Sequence, residues 1–171
     1  RHGRLTISVV LADANILFSR TLRDYFLYAA DAGAIEIHWS QQILDEMSRN
    51  IRTRLGLTHA DTKRLEELMN QFIDYALVSV DPADIATVES VDMDAGDRHV
   101  LAAALSADAD VILTENTRHF PADWMSDRGI DLLRSGDLLV RLAAQFPGKV
   151  RIAHARTLQF SPKSEDELLA T

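Results

Sequence analysis

Asp97-Arg98-His99-Val100-Leu101-Ala102-Ala103-Ala104-Leu105, followed by Ala109-Asp110-Val111-Ile112-Leu113-Thr114-Glu115-Asn116, is the stretch on which the fold turns. Its first half is an acid heading a run of small and straight-chain apolar residues, which predicts a helix to about Ala107 with Asp97 suited to its start. Its second half is a short β-branched run over Asp110–Thr114 that ends on polar residues, as a buried strand does where it leaves a sheet. The same device opens the chain: Ile7-Ser8-Val9-Val10-Leu11-Ala12 predicts a continuous buried strand over about residues 5–12 and runs into Asp13-Ala14-Asn15. Strand and helix patterns alternate elsewhere, which points to an α/β fold of three layers, a central parallel sheet of four to five strands flanked by helices.

The intervening elements follow from caps and spacing. A helix of about 20–32 ends near Gly33, and Ile35-Glu36-Ile37-His38-Trp39 reads as the second strand. Ser40 is placed to cap a helix in which Ile43, Leu44, Met47, Ile51 and Leu55 recur at helical spacing, and Gly56 to close it. Thr58 starts another, with Leu65, Leu68, Met69, Phe72, Ile73 and Ala76 on one face. Leu77-Val78-Ser79-Val80 predicts a short strand, and Pro82 enters a helix that ends before Asp92. After Asn116 come a loop and a short helix, a last strand at Ile130–Leu133, and a helix of about 136–146 capped by Ser135. Pro147-Gly148 reads as the clearest boundary, giving a domain over 4–147 and a C-terminal appendage over 148–171. In that appendage Ser164-Glu165-Asp166-Glu167 has a capping-box pattern.

Composition narrows the chemistry. With 171 residues, 47% hydrophobic and 26% charged, the chain matches an ordinary globular domain with a sizeable core. It has no cysteine, so a metal would be held by oxygen or imidazole, in keeping with a cytoplasmic protein. No apolar run nears the roughly 20 residues of a spanning helix, and none reads as a signal peptide; no membrane partner is expected. The formal charge of −8 sits poorly with phosphate binding unless cations occupy the acids and local arginines (Arg20, Arg23, Arg49, Arg52, Arg54, Arg118) meet the phosphates. Alternatively the acidity serves only solubility.

Acids stand at element boundaries, which is how a fold gathers them around a divalent cation. Each also has a plainer reading: Asp13 as a turn former or cap, Asp97 as a helix cap, Asp94 as a loop closer, and Glu46 as a solvated helix residue. Asn15 can shape the turn. Arg98 pairs with a carboxylate or a phosphate, or lies on the surface, while Trp39 and Trp124 stack bases or pack the interior. His119 donates to phosphate or is a loop bystander.

The Asp-x-Asn at 13–15, the Asp-Arg-His-Val-Leu-Ala-Ala-Ala helix at 97–104, the Thr-x-Asn at 114–116 and the later Phe120-Pro121 together resemble a PIN-domain ribonuclease, the fold of VapC-type toxins. The resemblance covers roughly residues 7–140. It makes Asp13, Glu46 and Asp97 the metal-binding acids and adds Asn116 to the catalytic set, with Asn15, Asp94, Arg98, Thr114 and His119 in support. It also implies a metal-dependent endoribonuclease that uses Mg²⁺ or Mn²⁺ on single-stranded or looped RNA. A cognate antitoxin would occlude the acidic cleft, and the helix hairpin around 65–73 would carry antitoxin contacts or those of a homodimer. The sequence has His119 and Gly96 where this branch usually has acids, which motivates an alternative, a PIN-fold RNA- or protein-binding module with weak or no nuclease activity. A receiver-like signalling domain fits less well, because no acidic pair precedes Asp13 and no convincing late lysine follows.

Overall fold

The computed structural model describes residues 7–160. Strand β1 (Ser8–Ala12) lies inside a four-stranded parallel sheet, between β2 (Ile35–His38) and β3 (Val111–Leu113), with β4 (Asp131–Leu133) outside β3. Val9, Val10, Leu11 and Ala12 are all buried, because successive side chains of a strand point to opposite faces and both faces here are covered. The chain therefore leaves β1 toward one edge and returns beyond it on the other. The crevice where such a sheet reverses direction, past the carboxyl ends of the strands, is its natural ligand site. Among the described residues four strands form, the lower of the two numbers expected.

Asp13 turns the chain from β1 directly into a five-residue helix, α1 (Ala14–Phe18), and α2 (Arg20–Asp31) follows with Ser19 as its cap. Helix α3 (Gln41–Leu55) is capped by Ser40, whose hydroxyl accepts from Ile43 N at 3.1 Å, and buries Ile43, Leu44, Met47 and Ile51. Gly56 closes it at φ +70, a left-handed conformation that costs glycine nothing sterically. Thr58 and Asp61 form a reciprocal capping box at α4 (His59–Phe72). Of the apolar face expected there, Met69, Ile73 and Ala76 are buried, whereas Leu68 and Phe72 stay exposed because α4 packs mainly along α3.

The expected strand at Leu77–Val80 is only a single bridge, Trp39 to Leu77. The reason lies in its partner: the chain turns into α3 immediately after Trp39, so residues beyond Val78 find no extended backbone beside them. Trp39 itself is fully buried, its indole N–H donating to Asn70 Oδ1 at 2.8 Å, while the Trp124 ring lies 3.6 Å beneath the Arg128 guanidinium carbon.

Helix α5 (Pro82–Val88) leads through a 3₁₀ turn at Ala95–Asp97 into α6 (Arg98–Ser106), and α7 (Ala122–Ser126) precedes β4. Helix α8 (Ser135–Gln145) begins one residue earlier than expected. Arg134 is its cap position, and Ser135, rather than capping, donates its N–H to Glu115 Oε1 at 2.8 Å. Pro147-Gly148, read as the boundary, opens α9 (Pro147–Phe160). This helix lies on α2 with Ala153 and Thr157 buried, Lys149 Nζ donating to Gly33 O at 3.1 Å, and Arg156 paired with Asp31 while lying over Tyr28. Proline suits the first turn of a helix as well as a boundary, and only the packing decides between them. The capping pattern at Ser164 lies outside the described residues. Among those residues, no helix is long and apolar enough to cross a membrane.

Candidate active site

The crevice is built around Asp13. Its backbone N–H continues the sheet ladder to Leu113 O at 3.0 Å, which fixes the carboxylate between the ends of β1 and β3. Oδ1 accepts from Ala14 N at 2.7 Å, and Oδ2 accepts from the Thr114 hydroxyl at 2.9 Å and from Asn15 Nδ2 at 3.2 Å. Asp13 is buried and Thr114 wholly so. Burial raises the Asp13 pKa above the usual carboxylate value; the Ala14 N–H and the Thr114 hydroxyl oppose this, nearby Glu46 adds to it, and His99 draws it back.

Asn15 is the clasp of this arrangement. Besides Asp13, its Nδ2 donates to Thr114 Oγ1 at 2.9 Å, and its Oδ1 accepts from Glu115 N at 2.9 Å. One amide thus ties the turn after β1 to the turn after β3, a hundred residues later. We expect Asn15→Ala to cost about 2 kcal/mol, since it strands partly buried partners of three hydrogen bonds. Urea unfolding would read this, and an unchanged midpoint would contradict it.

Glu46 reaches the same place from the middle of α3. It is half-buried, and Oε1 lies 2.5 Å from Nε2 of His99 on α6. Asp97 does not cap α6: its side chain makes no capping bond, and the preceding 3₁₀ turn is capped by exposed Asp94, which accepts from Gly96 N at 2.8 Å. The Asp97 carboxylate is thereby left to face the crevice chemistry, 3.2 Å from His119 Nδ1. Its pKa is raised by burial and by the charges of Asp13 and Asp94, and lowered by His119. A β-carbon at Gly96 would stand 3.3 Å from Asp94 Oδ1, so an acid there would crowd Asp94.

Asp13 is thus repelled by Glu46 and by Asp97, each of which comes from a different element. Arg98 forms no ion pair among the described residues; Nη2 donates to Val91 O at 2.9 Å and anchors the loop before α6. Asn116 is exposed, and its backbone N–H donates to Thr114 Oγ1 at 3.1 Å. Glu115 is engaged with Ser135, away from the acids. Of the arginines considered for phosphate contact, Arg23 is buried and donates to Leu17 O, Arg52 donates to Thr62 Oγ1, and Arg54 lies over Phe18. His99 is the residue whose place sequence reasoning missed. Its partner is 53 positions away, so nothing local marks it.

The donor chemistry suits a hard divalent cation, because a cation offsets the desolvation and like-charge repulsion that raise the Asp13 and Asp97 pKa values. Among the described residues, however, no three acidic or imidazole side chains stand close enough together to enclose an ion. Glu46 and Asp97 face histidines instead, so enclosing an ion requires their carboxylates to turn.

No curated protein matches the chain. Compared with protein families, residues 9–118 match the PIN domain, a span that runs from β1 through the turn after β3 and holds Asp13, Asn15, Glu46, Asp94, Asp97 and Thr114. With more than half of its length matched, and with a parallel sheet that has Asp13 at its reversal, the chain belongs to the PIN-domain family.

Proposed function

We propose that this PIN domain is a divalent-metal-dependent endoribonuclease acting on single-stranded or looped RNA, and that it is the toxin of a VapBC-type pair. PIN domains are generally nucleases. The observation that carries the reading is the buried Asp13 carboxylate at the strand reversal, desolvated there and repelled by Glu46 from α3 and by Asp97 from the turn before α6, an arrangement that cation binding relieves. These three would hold Mg²⁺ or Mn²⁺, the ions that hard oxygen donors prefer. When bound, such an ion supplies the positive charge that activates water and offsets charge building on the phosphoryl oxygens.

The chain's own residues do the rest. Thr114 and Asn15 hold the Asp13 carboxylate in one orientation, so little is left to organise when substrate arrives. Asn116, exposed beside Thr114, is available to a phosphate through its amide. His119, about half exposed, can hand a proton to a departing oxygen. Leu68 and Phe72, exposed at the end of α4, offer an apolar surface suited to an antitoxin or a second copy.

Cleavage of defined RNAs with Mn²⁺, with Mg²⁺ and with EDTA tests the reading, with Asp97→Asn as the control. Cleavage that survives EDTA, or that is equal in the variant, would refute it. The toxin assignment is tested by growth arrest on expression. A binding module without catalysis is the second reading, favoured by the histidines facing Glu46 and Asp97; RNA retained but uncut in Mn²⁺ would establish it. The same pairing makes position 119 a lever. His119→Asp should tighten Mn²⁺ by about tenfold in calorimetry, since a carboxylate replaces an imidazole beside Asp97. Unchanged affinity would place residue 119 outside the ion's reach.

A further inference from the structure

Positive charge is unevenly spread along the chain. Residues 49–64 hold Arg49, Arg52, Arg54, Lys63 and Arg64, five of its 18 lysines and arginines, against one acid, Asp61, although the whole chain carries −8. Asp61 is engaged in the capping box of α4. Helices α3 and α4 pack together and leave a groove of about 370 Å³ between them, lined by Arg49 and Arg52 from one and by His59 and Lys63 from the other. Thr62, buried, accepts from Arg52 Nη1 at 2.9 Å through its hydroxyl and so fixes the guanidinium in the groove. The two acids there, Asp45 and Glu66, are held by neutral donors. Both accept from Gln41 Nε2 at 2.9 Å, and Glu66 accepts also from the Ser48 hydroxyl at 2.6 Å. Arg49 and Lys63 are exposed and form no ion pair among the described residues. Like charges gathered in one groove repel one another, and an anion relieves them.

We infer that the groove between α3 and α4 is a phosphate track, in which Arg49, Arg52 and Lys63 hold the backbone of the RNA that flanks the cut. The inference rests on the ribonuclease reading and names how the substrate is held. Helix α3 joins the two places. Glu46, at the crevice, stands three residues before Arg49, at the groove, and residues so spaced are neighbours on a helix surface, about 4.5 Å apart along its axis. A strand lying beside the acids therefore reaches the groove by crossing α3 at Arg49. Guanidinium forks match phosphate oxygens, and Arg49 and Arg52 supply two of them. An acidic protein segment would meet the same charges, but only an RNA cut at the crevice must also pass this face of α3. Phosphate contacts position a strand whatever its sequence. These residues thus set affinity and the length of RNA needed, with no part in bond breaking.

The test titrates a labelled single-stranded RNA of mixed sequence with the full chain in EDTA, by fluorescence anisotropy over a series of salt concentrations. Arg49→Gln/Lys63→Gln should weaken binding by about tenfold and flatten the slope of log K against log salt by about 1.4, as expected for two single-strand phosphates. Arg141→Gln/Arg151→Gln, which removes the same charge from α8 and α9, should stay near the parent in both. Urea midpoints check that the variants are folded. With Mn²⁺ present, the groove variant should raise KM for the RNA by about tenfold at unchanged kcat, and should match the parent on a dinucleotide too short to reach the groove. Equal binding and slope in the groove variant, or an equal loss in the control, would overturn the track. Cleavage with an unmoved KM would overturn it and leave the ribonuclease reading standing. RNA binding that the groove variant loses, with no cleavage by the parent in Mn²⁺ or Mg²⁺, would keep the groove as an RNA site and remove the ribonuclease reading. Binding of polyglutamate but not RNA, lost in the same variant, would overturn the track in favour of an acidic protein partner.

Discussion

Asp13→Asn is expected to lower RNA cleavage by more than about 100-fold, since loss of an outer-shell partner alone commonly costs 10- to 100-fold in metal affinity or activity. The same change should leave the apo protein at least as stable at neutral pH. The Asp13 carboxylate is buried, and burial is the main reason its pKa is raised. A folded pKa above the unfolded value, about 3.9 for Asp, means that the folded state binds its proton more tightly. The stabilisation is therefore complete below the unfolded pKa and is lost as pH rises through the folded one. Asparagine has no charge to desolvate, so its advantage should grow from about pH 4 toward neutrality. It forfeits one good acceptor for Asn15 and Thr114, which offsets part of the gain. Thermal unfolding in EDTA across that range measures the difference. A variant less stable at every pH, by a constant amount, would mean that the hydrogen bonds to Oδ2 outweigh the buried charge; equal cleavage in variant and parent would remove Asp13 from the site.

The second large effect concerns α9. Ala153→Asp should destabilise the protein by about 3 kcal/mol or more, because it drives an unpaired carboxylate into the fully buried contact between α9 and α2. Deletion of residues 149–171 should likewise weaken folding, as it uncovers α2 and removes the partners of Asp31 and Gly33. The reading of 148–171 as an appendage to a domain over 4–147 points the other way. Chemical denaturation of the two variants decides the matter, and an unchanged midpoint in both would make α9 a dispensable appendage.

The alternation of continuous β-branched runs with capped helices determines the sheet, its parallel direction and most element boundaries, because these depend on local periodicity and on short-range caps such as Ser40, Thr58 and Gly56. It also determines that Asp13 and Asn116 lie at one crevice, since each follows a strand in the same sheet. What the sequence does not contain is the pairing of side chains across long separations. His99 on Glu46 depends on how α3 and α6 pack together, His119 on Asp97 on how the turn after β3 meets the start of α6, and the Asn15 clasp on how the ends of β1 and β3 lie side by side. The same holds where local signals point two ways. Pro147-Gly148 fits a boundary or a helix start, Leu77–Val80 fits a strand or a bridge, and Asp97 fits a cap or a free carboxylate. Tertiary structure decides each of these, because the deciding energy comes from surfaces contributed by residues far along the chain: α2 beneath α9, the early turn of α3 beside Trp39, and Asp94 already holding the turn before α6.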